Sequence, residues 1–204
     1  MKTVFVNPEN CIGCRHCEIA CAVEHSQSQD VLTAFFEHPI PQPRIHVEPG
    51  INFTTFPNKC RHCDPAPCMQ ACPTGALYRD KGTGSVLLDG YKCIACGMCA
   101  VVCPFDVVAF HKSWNIRLDK EINYKCDHCI ERQERGEIPA CVEACKTEAL
   151  IFGEINELAK RGRRDFTLRL TANAERADVV PAMPEIITMW REMNASLGEF
   201  SPLK

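Results

Sequence analysis

The sequence predicts an α+β fold made of two interleaved units, followed by a C-terminal helical extension. Three observations predict it. The cysteines fall into four groups of four with none left over, a β-rich run leading into a cysteine loop occurs twice, and the groups end in a helical turn followed by an apolar strand-like run. At 204 residues the chain is long enough for one ordinary domain or two small ones.

The four groups carry the strongest signal. They are Cys11, Cys14, Cys17 and Cys21; Cys60, Cys63, Cys68 and Cys72; Cys93, Cys96, Cys99 and Cys103; and Cys126, Cys129, Cys141 and Cys145. Groups one and three read C-x2-C-x2-C-x3-C, group two C-x2-C-x4-C-x3-C, and group four C-x2-C-x11-C-x3-C. This is the spacing of bacterial ferredoxins. Three thiolates in a tight loop reach three irons of one cubane, while the fourth, a helical turn later, points toward a second, so clusters come in pairs. Structural zinc closes with two C-x2-C pairs and has no use for the further cysteines. Sixteen thiolates therefore predict four [4Fe-4S] clusters and no free thiol.

Composition agrees and excludes other classes. Lys+Arg 23 against Asp+Glu 26 gives a formal charge of -3, with no basic excess to bind nucleic acid. No apolar run approaches the roughly 20 residues that cross a bilayer. MKTVFVNPENC has neither an apolar core of about 7 residues nor a twin arginine, so the expected location is cytoplasmic, where thiols ligate metal rather than pair as disulfides.

The repeats order the chain. VFVNPENC (Val4 to Cys11) aligns without a gap on VLLDGYKC (Val86 to Cys93), and CPTGALYRD from Cys72, CPFDVVAFH from Cys103 and CKTEALIFG from Cys145 share one ending. Gly13 and Gly97 lie inside the loops, where a missing side chain lets N–H groups turn toward sulfur. Pro73 and Pro104 follow the last cysteine of groups two and three, while Ala22 and Lys146 stand there in groups one and four. This pairs the outer groups with each other and the inner groups with each other.

On CRHCDPAPCMQACPTGA (Cys60 to Ala76) and CIACGMCAVVCPF (Cys93 to Phe105), the chain resembles the four-cluster iron-sulfur subunits of dimethyl sulfoxide reductase, formate dehydrogenase and related complexes, over residues 1 to 153. CEIACAVEHSQSQD (Cys17 to Asp30) and PQPRIHVE (Pro41 to Glu48) look most similar to the iron-sulfur protein that accompanies carbon monoxide dehydrogenase. The resemblance implies that Cys11, Cys14, Cys17 and Cys145 hold one cluster and Cys21, Cys126, Cys129 and Cys141 a second. Cys60, Cys63, Cys68 and Cys103 would hold a third, and Cys72, Cys93, Cys96 and Cys99 the fourth. The inner ferredoxin unit, 59–112, would then be inserted in the outer one, 1–58 and 113–153, with 154–204 as an extension.

The expected chemistry is one-electron transfer, and no G-x-S-x-G, P-loop, G-x-G-x-x-G or H-E-x-x-H supplies anything else. The expected function is a non-catalytic subunit between a catalytic oxidoreductase and a second redox partner. The first would be a carbon monoxide dehydrogenase or a tungsten or molybdenum aldehyde or formate enzyme; the second, a hydrogenase or a flavin or nicotinamide reductase subunit. A freely diffusing polyferredoxin is the alternative, and a zinc interaction module or an enzyme with an open iron position are the readings from other classes. Four oxidised clusters with their thiolates would bring the charge to about -11, so salt should slow docking.

Several residues carry open readings. His16, His62 and His128 each precede a cysteine and are either N–H donors near cluster sulfur or surface residues. Arg15, Lys59, Arg61 and Lys125 place positive charge at the loops, which favours reduced clusters. Residues 22–58, with Pro39, Pro41, Pro43 and Pro49, predict a stiff, partly extended loop flanked by strand-like INFTTF from Ile51; it contacts a partner or covers a cluster. The basic run Lys160, Arg161, Arg163 and Arg164 reads as a solvated face before the alternating FTLRL of Phe166 to Leu170. Last, Ile186, Trp190, Met193 and Leu197 form one helical stripe, expected to dock on a partner with Trp190 as anchor.

Overall fold

The computed structural model describes residues 2–112, 120–174, 189 and 192. The docking stripe of Ile186, Trp190, Met193 and Leu197 lies outside the described residues; Met189 and Glu192 beside it are helical and exposed. The chain divides into two compact units, residues 1–155 and 156–204.

In the first unit a strand leads toward the first cysteine of every group. β1 (Lys2–Val6) precedes Cys11, β3 (Thr55–Lys59) precedes Cys60, β5 (Val86–Leu88) precedes Cys93 and β7 (Glu121–Asn123) precedes Cys126. A strand also follows the last cysteine of groups two, three and four: β4 (Leu77–Arg79), β6 (Phe110–Lys112) and β8 (Leu150–Glu154). Short helices lie between, namely α1 (His16–Glu24), α2 (Val31–Ala34), α3 (Pro67–Gln70), α4 (Met98–Val101), α5 (Ile130–Glu134) and α6 (Ala140–Glu143). Most are one turn long, too short to persist in water without packing.

Among the described residues, all strand pairs are antiparallel. β1 pairs with β8 from Lys2↔Glu154 to Val6↔Leu150, bringing the two ends of the unit together. β4 pairs with β5 and β6 with β7, each joining the strand after one cysteine group to the strand before the next. The fourth pair, β2 (Ile45–Pro49) with β3, lies in the insertion.

The insertion departs from the extended loop expected over 22–58. Asp30 caps α2 by accepting from the Thr33 amide at 2.9 Å, and Glu37 accepts from the Ser28 amide at 2.8 Å, closing the segment on itself. INFTTF is not one strand. Ile51–Phe53 is a 3-10 turn with Asn52 at φ +55°, and the strands lie on either side of it.

Sulfur fills much of the core. Val4, Ile45, Val47 and Leu150 pack with Cys17, Cys21 and Cys141, while Ala66, Leu77 and Val86 pack with Cys99. Arg132 of α5 holds three elements together, donating to Glu24 of α1 at 2.9 Å and to Glu143 of α6 at 2.5 Å. Among the described residues, no helix is long and apolar enough to cross a membrane.

The second unit is described by α7 (Ile155–Ala174), which carries the basic run and the FTLRL segment. The alternation in FTLRL therefore lies on a helix, with Phe166, Leu168 and Leu170 exposed.

Candidate metal centre

The four C-x2-C loops that open the groups share one backbone device. The residue before the second cysteine is left-handed in each: Gly13 at φ +71°, His62 at +51°, Ala95 at +55° and His128 at +69°. Reversing the chain there turns successive amides inward, so that the His62 amide donates to Cys60 Sγ at 3.5 Å and the His128 amide to Cys126 Sγ at 3.3 Å. Glycine is needed at the first position for a second reason. A Cβ on Gly13 would stand 3.0 Å from Thr55 Cγ2. Gly97 is left-handed as well, at φ +77°.

The fold brings cysteines of different groups together. Cys17 lies within charge range of Cys145 and Cys11, and Cys21 within range of Cys141, Cys126 and Cys129. Cys68 is near Cys60 and Cys103. Cys72, Cys93, Cys96 and Cys99 line one small cavity. Cys14 and Cys96 are exposed on their loops, and all sixteen thiols are free of disulfides.

Electrostatics state what such grouping means. Burial, with Glu18, Cys145 and Cys11 adding to it, pushes the Cys17 thiol up to about 12. Burial, with Asp127 and Cys126, does the same to Cys129, again to about 12. Cys21 and Cys141 are raised for the same reasons. At Cys72 burial acts upward too, but the amides of Leu77, Thr74 and Ala76 and the Thr74 hydroxyl outweigh it and lower the value. Thiols that each raise their neighbour's pKa form a poor group of anions until a cation sits among them, which is the chemistry of an iron-sulfur donor set.

Other side chains complete the surroundings. Thr55 donates to Cys11 Sγ at 3.1 Å, buried Asn123 donates to Cys99 Sγ at 3.1 Å, and the Arg44 amide donates to Cys21 Sγ at 3.3 Å. Sequence reasoning missed all three, because a hydrogen bond across 23, 24 or 44 residues leaves no local pattern. It also missed Asp127. Burial works against this carboxylate, but the His25 hydrogen bond and the Arg44 charge prevail and hold it far below the usual carboxylate range.

The four cationic residues expected at the loops separate. Lys59 and Lys125 are buried, at 1% and 4% exposure, whereas Arg15 is exposed. Arg61 lies over the rings of Phe56 and Phe105, at 5.6 and 5.4 Å. The two lysines act crosswise: Lys59 favours the thiolates of Cys126 and Cys141, and Lys125 that of Cys68. The histidines separate as well. His16 is exposed, while His62 and His128 are buried. Burial, reinforced by Lys125, His128 and Lys59, pushes His62 down to about 2, and burial with Lys59 pushes His128 down to about 4.

Residues 51–155 match the family model of the 4Fe-4S dicluster domain. The chain belongs to that family. As a 4Fe-4S dicluster protein it is similar to the electron transport protein HydN of Escherichia coli K12, 39% identical over 77% of this chain and 90% of the relative. It is 35% identical to an iron-sulfur protein of Rhodospirillum rubrum, over 72% of this chain and 79% of that one. Protein NrfC of Escherichia coli K12 is 36% identical over 72% of this chain and 62% of its own length. The family supplies 4Fe-4S clusters as the cofactor, and the dicluster match spans groups two to four of the cysteines.

Proposed function

We propose that this dicluster protein is a non-catalytic electron-transfer subunit carrying four [4Fe-4S] clusters. Cys11, Cys14, Cys17 and Cys145 hold the first, and Cys21, Cys126, Cys129 and Cys141 the second. Cys60, Cys63, Cys68 and Cys103 hold the third, and Cys72, Cys93, Cys96 and Cys99 the fourth. When bound, each cluster takes up and returns one electron. The observation that carries this reading is the regrouping of thiols from distant parts of the chain, which follows these sets rather than the sequence groups: Cys145 falls beside Cys17, and Cys103 beside Cys68.

The pairing of β1 with β8 around the intervening residues supports one unit inserted in another. Contacts between sets support a row. Cys141 is near Cys17, Cys126 is near Cys60, and Cys68 and Cys72 both pack against the buried cluster that contains Cys99. The chain's own groups hold the thiolates, bury seven of the sixteen and place Lys59 and Lys125 where they favour added negative charge.

The row connects a catalytic oxidoreductase, either a carbon monoxide dehydrogenase or a tungsten or molybdenum aldehyde or formate enzyme, to a second carrier such as a hydrogenase or a flavin or nicotinamide reductase subunit. The likeness to HydN, an electron transport protein, and to an iron-sulfur protein supports electron transport. Leu32, Phe35 and Phe36, at 76%, 70% and 82% exposure, support a docked subunit over a freely diffusing carrier. An anaerobic pull-down of the native protein, with mass spectrometry of its companions, tests this. A redox enzyme recovered with the iron-loaded chain is expected; an iron-loaded chain recovered alone contradicts the subunit reading.

A further inference from the structure

We infer that His62 and His128 are a matched pair of hydrogen-bond donors to iron-sulfur cluster sulfur, each through its Nε2–H, set across the seam between two cysteine loops. The inference rests on the cluster reading above and adds what tunes the two clusters at that seam.

The two residues occupy the same place in one repeated motif, Lys59-Cys60-Arg61-His62-Cys63 and Lys125-Cys126-Asp127-His128-Cys129. The fold lays the motifs against each other, so that the imidazoles stack with centroids 4.6 Å apart and planes inclined by 21°. Both rings are almost fully buried, at 2% and 3% exposure.

Hydrogen bonding at Nδ1 fixes the tautomer of the first ring. The Val86 amide donates to His62 Nδ1 at 3.0 Å. A backbone amide can only donate, so Nδ1 carries no proton there and the ring's single N–H is on Nε2. The next residue back, Ser85, places its hydroxyl 3.1 Å from His128 Nδ1, so adjacent residues at the start of β5 position both rings. With the serine hydroxyl donating, His128 also carries its proton on Nε2.

Neither Nε2 has a hydrogen-bond partner among the described residues. A buried donor left without an acceptor costs about 1–3 kcal/mol, and two such donors stacked at one seam call for an acceptor that is not a protein oxygen. Carbonyls of the same loops already serve the lysines: Lys59 Nζ donates to Cys60 O at 3.1 Å, and Lys125 Nζ to Cys126 O at 2.9 Å and to Val86 O. Sulfur is the acceptor chemistry that remains, from Cys60, Cys63, Cys68 and Cys103 on one side and Cys21, Cys126, Cys129 and Cys141 on the other. An N–H donated to cluster sulfur stabilises the extra negative charge of the reduced state and raises the potential. His16, exposed on α1, takes no part.

The test is pulsed paramagnetic resonance on the reduced holoprotein grown with 15N-labelled histidine, read together with the iron content and the reduction potentials. The wild-type protein is expected to show histidine 15N coupling to a reduced cluster. His62→Phe and His128→Phe should each lose part of that coupling with iron content unchanged. Each should also lower one cluster's potential by about 59 mV or more, a tenfold change in a one-electron equilibrium. His62→Gln, which keeps an N–H near the same place, should recover most of the potential. Full iron with no histidine coupling in the wild-type protein overturns the assignment even if no variant folds, and so do variants with unchanged potentials. A protein without iron overturns the cluster reading itself, and this inference with it.

Discussion

The Arg44 guanidinium donates to the Asp127 carboxylate at 2.5 Å, tying the insertion to the loop between Cys126 and Cys129. Asp127 also accepts from His25 Nε2 at 3.0 Å and from the Cys129 amide at 2.9 Å, and Arg44 lies over the Tyr124 ring at 4.7 Å. One carboxylate thus fixes the end of α1, the start of β2 and a cysteine loop.

Replacing Asp127 with Asn removes the charge that Arg44 and His25 answer while keeping an acceptor for the Cys129 amide. Loss of hydrogen bonds to a charged group at this partly buried site should destabilise the fold by about 1.5–3 kcal/mol. The anaerobic denaturation midpoint, followed by visible absorption, measures it.

The left-handed loop positions predict opposite outcomes for two small substitutions. Ala95→Gly relieves a left-handed alanine at φ +55° and should stabilise by about 1 kcal/mol. Gly13→Ala forces a side chain onto φ +71° and within 3.0 Å of Thr55, so it should destabilise by at least that amount. Thermal unfolding of the two holoproteins under one atmosphere compares them directly.

Cys145→Ser should remove a ligand from the set of Cys11, Cys14 and Cys17 and leave the other three sets whole. Iron per chain should then fall from about sixteen toward about twelve. Loss of all iron would show that the sets are not separable in this way.

Stripping the iron should unfold the first unit rather than leave an empty frame. Its core is partly sulfur, and Lys59 and Lys125 would stay buried without the negative charge that answers them. Far-ultraviolet circular dichroism before and after anaerobic chelation reads this out, with retained structure as the contrary result.

Much of this was legible in the sequence because cluster ligation imposes fixed spacings. The strands after Cys72, Cys103 and Cys145 stand where the repeats put them. INFTTF misled because its alternation spans a turn, which Gly50 and the left-handed Asn52 make possible. FTLRL alternates as a strand would, yet its five residues make about one and a half turns of α7. Three histidines at one place before a cysteine looked alike, yet His16 opens a helix in solvent while β5 covers His62 and His128. Burial of that kind is decided by a strand more than twenty residues away, which no local pattern records.

The central claim is that sixteen thiolates hold four [4Fe-4S] clusters, and counting iron and acid-labile sulfide in the anaerobically purified chain tests it most directly. The account predicts about sixteen of each per chain, with resonance signals of several interacting reduced clusters. A colourless protein holding about one zinc per four cysteines, with no labile sulfide, would contradict it.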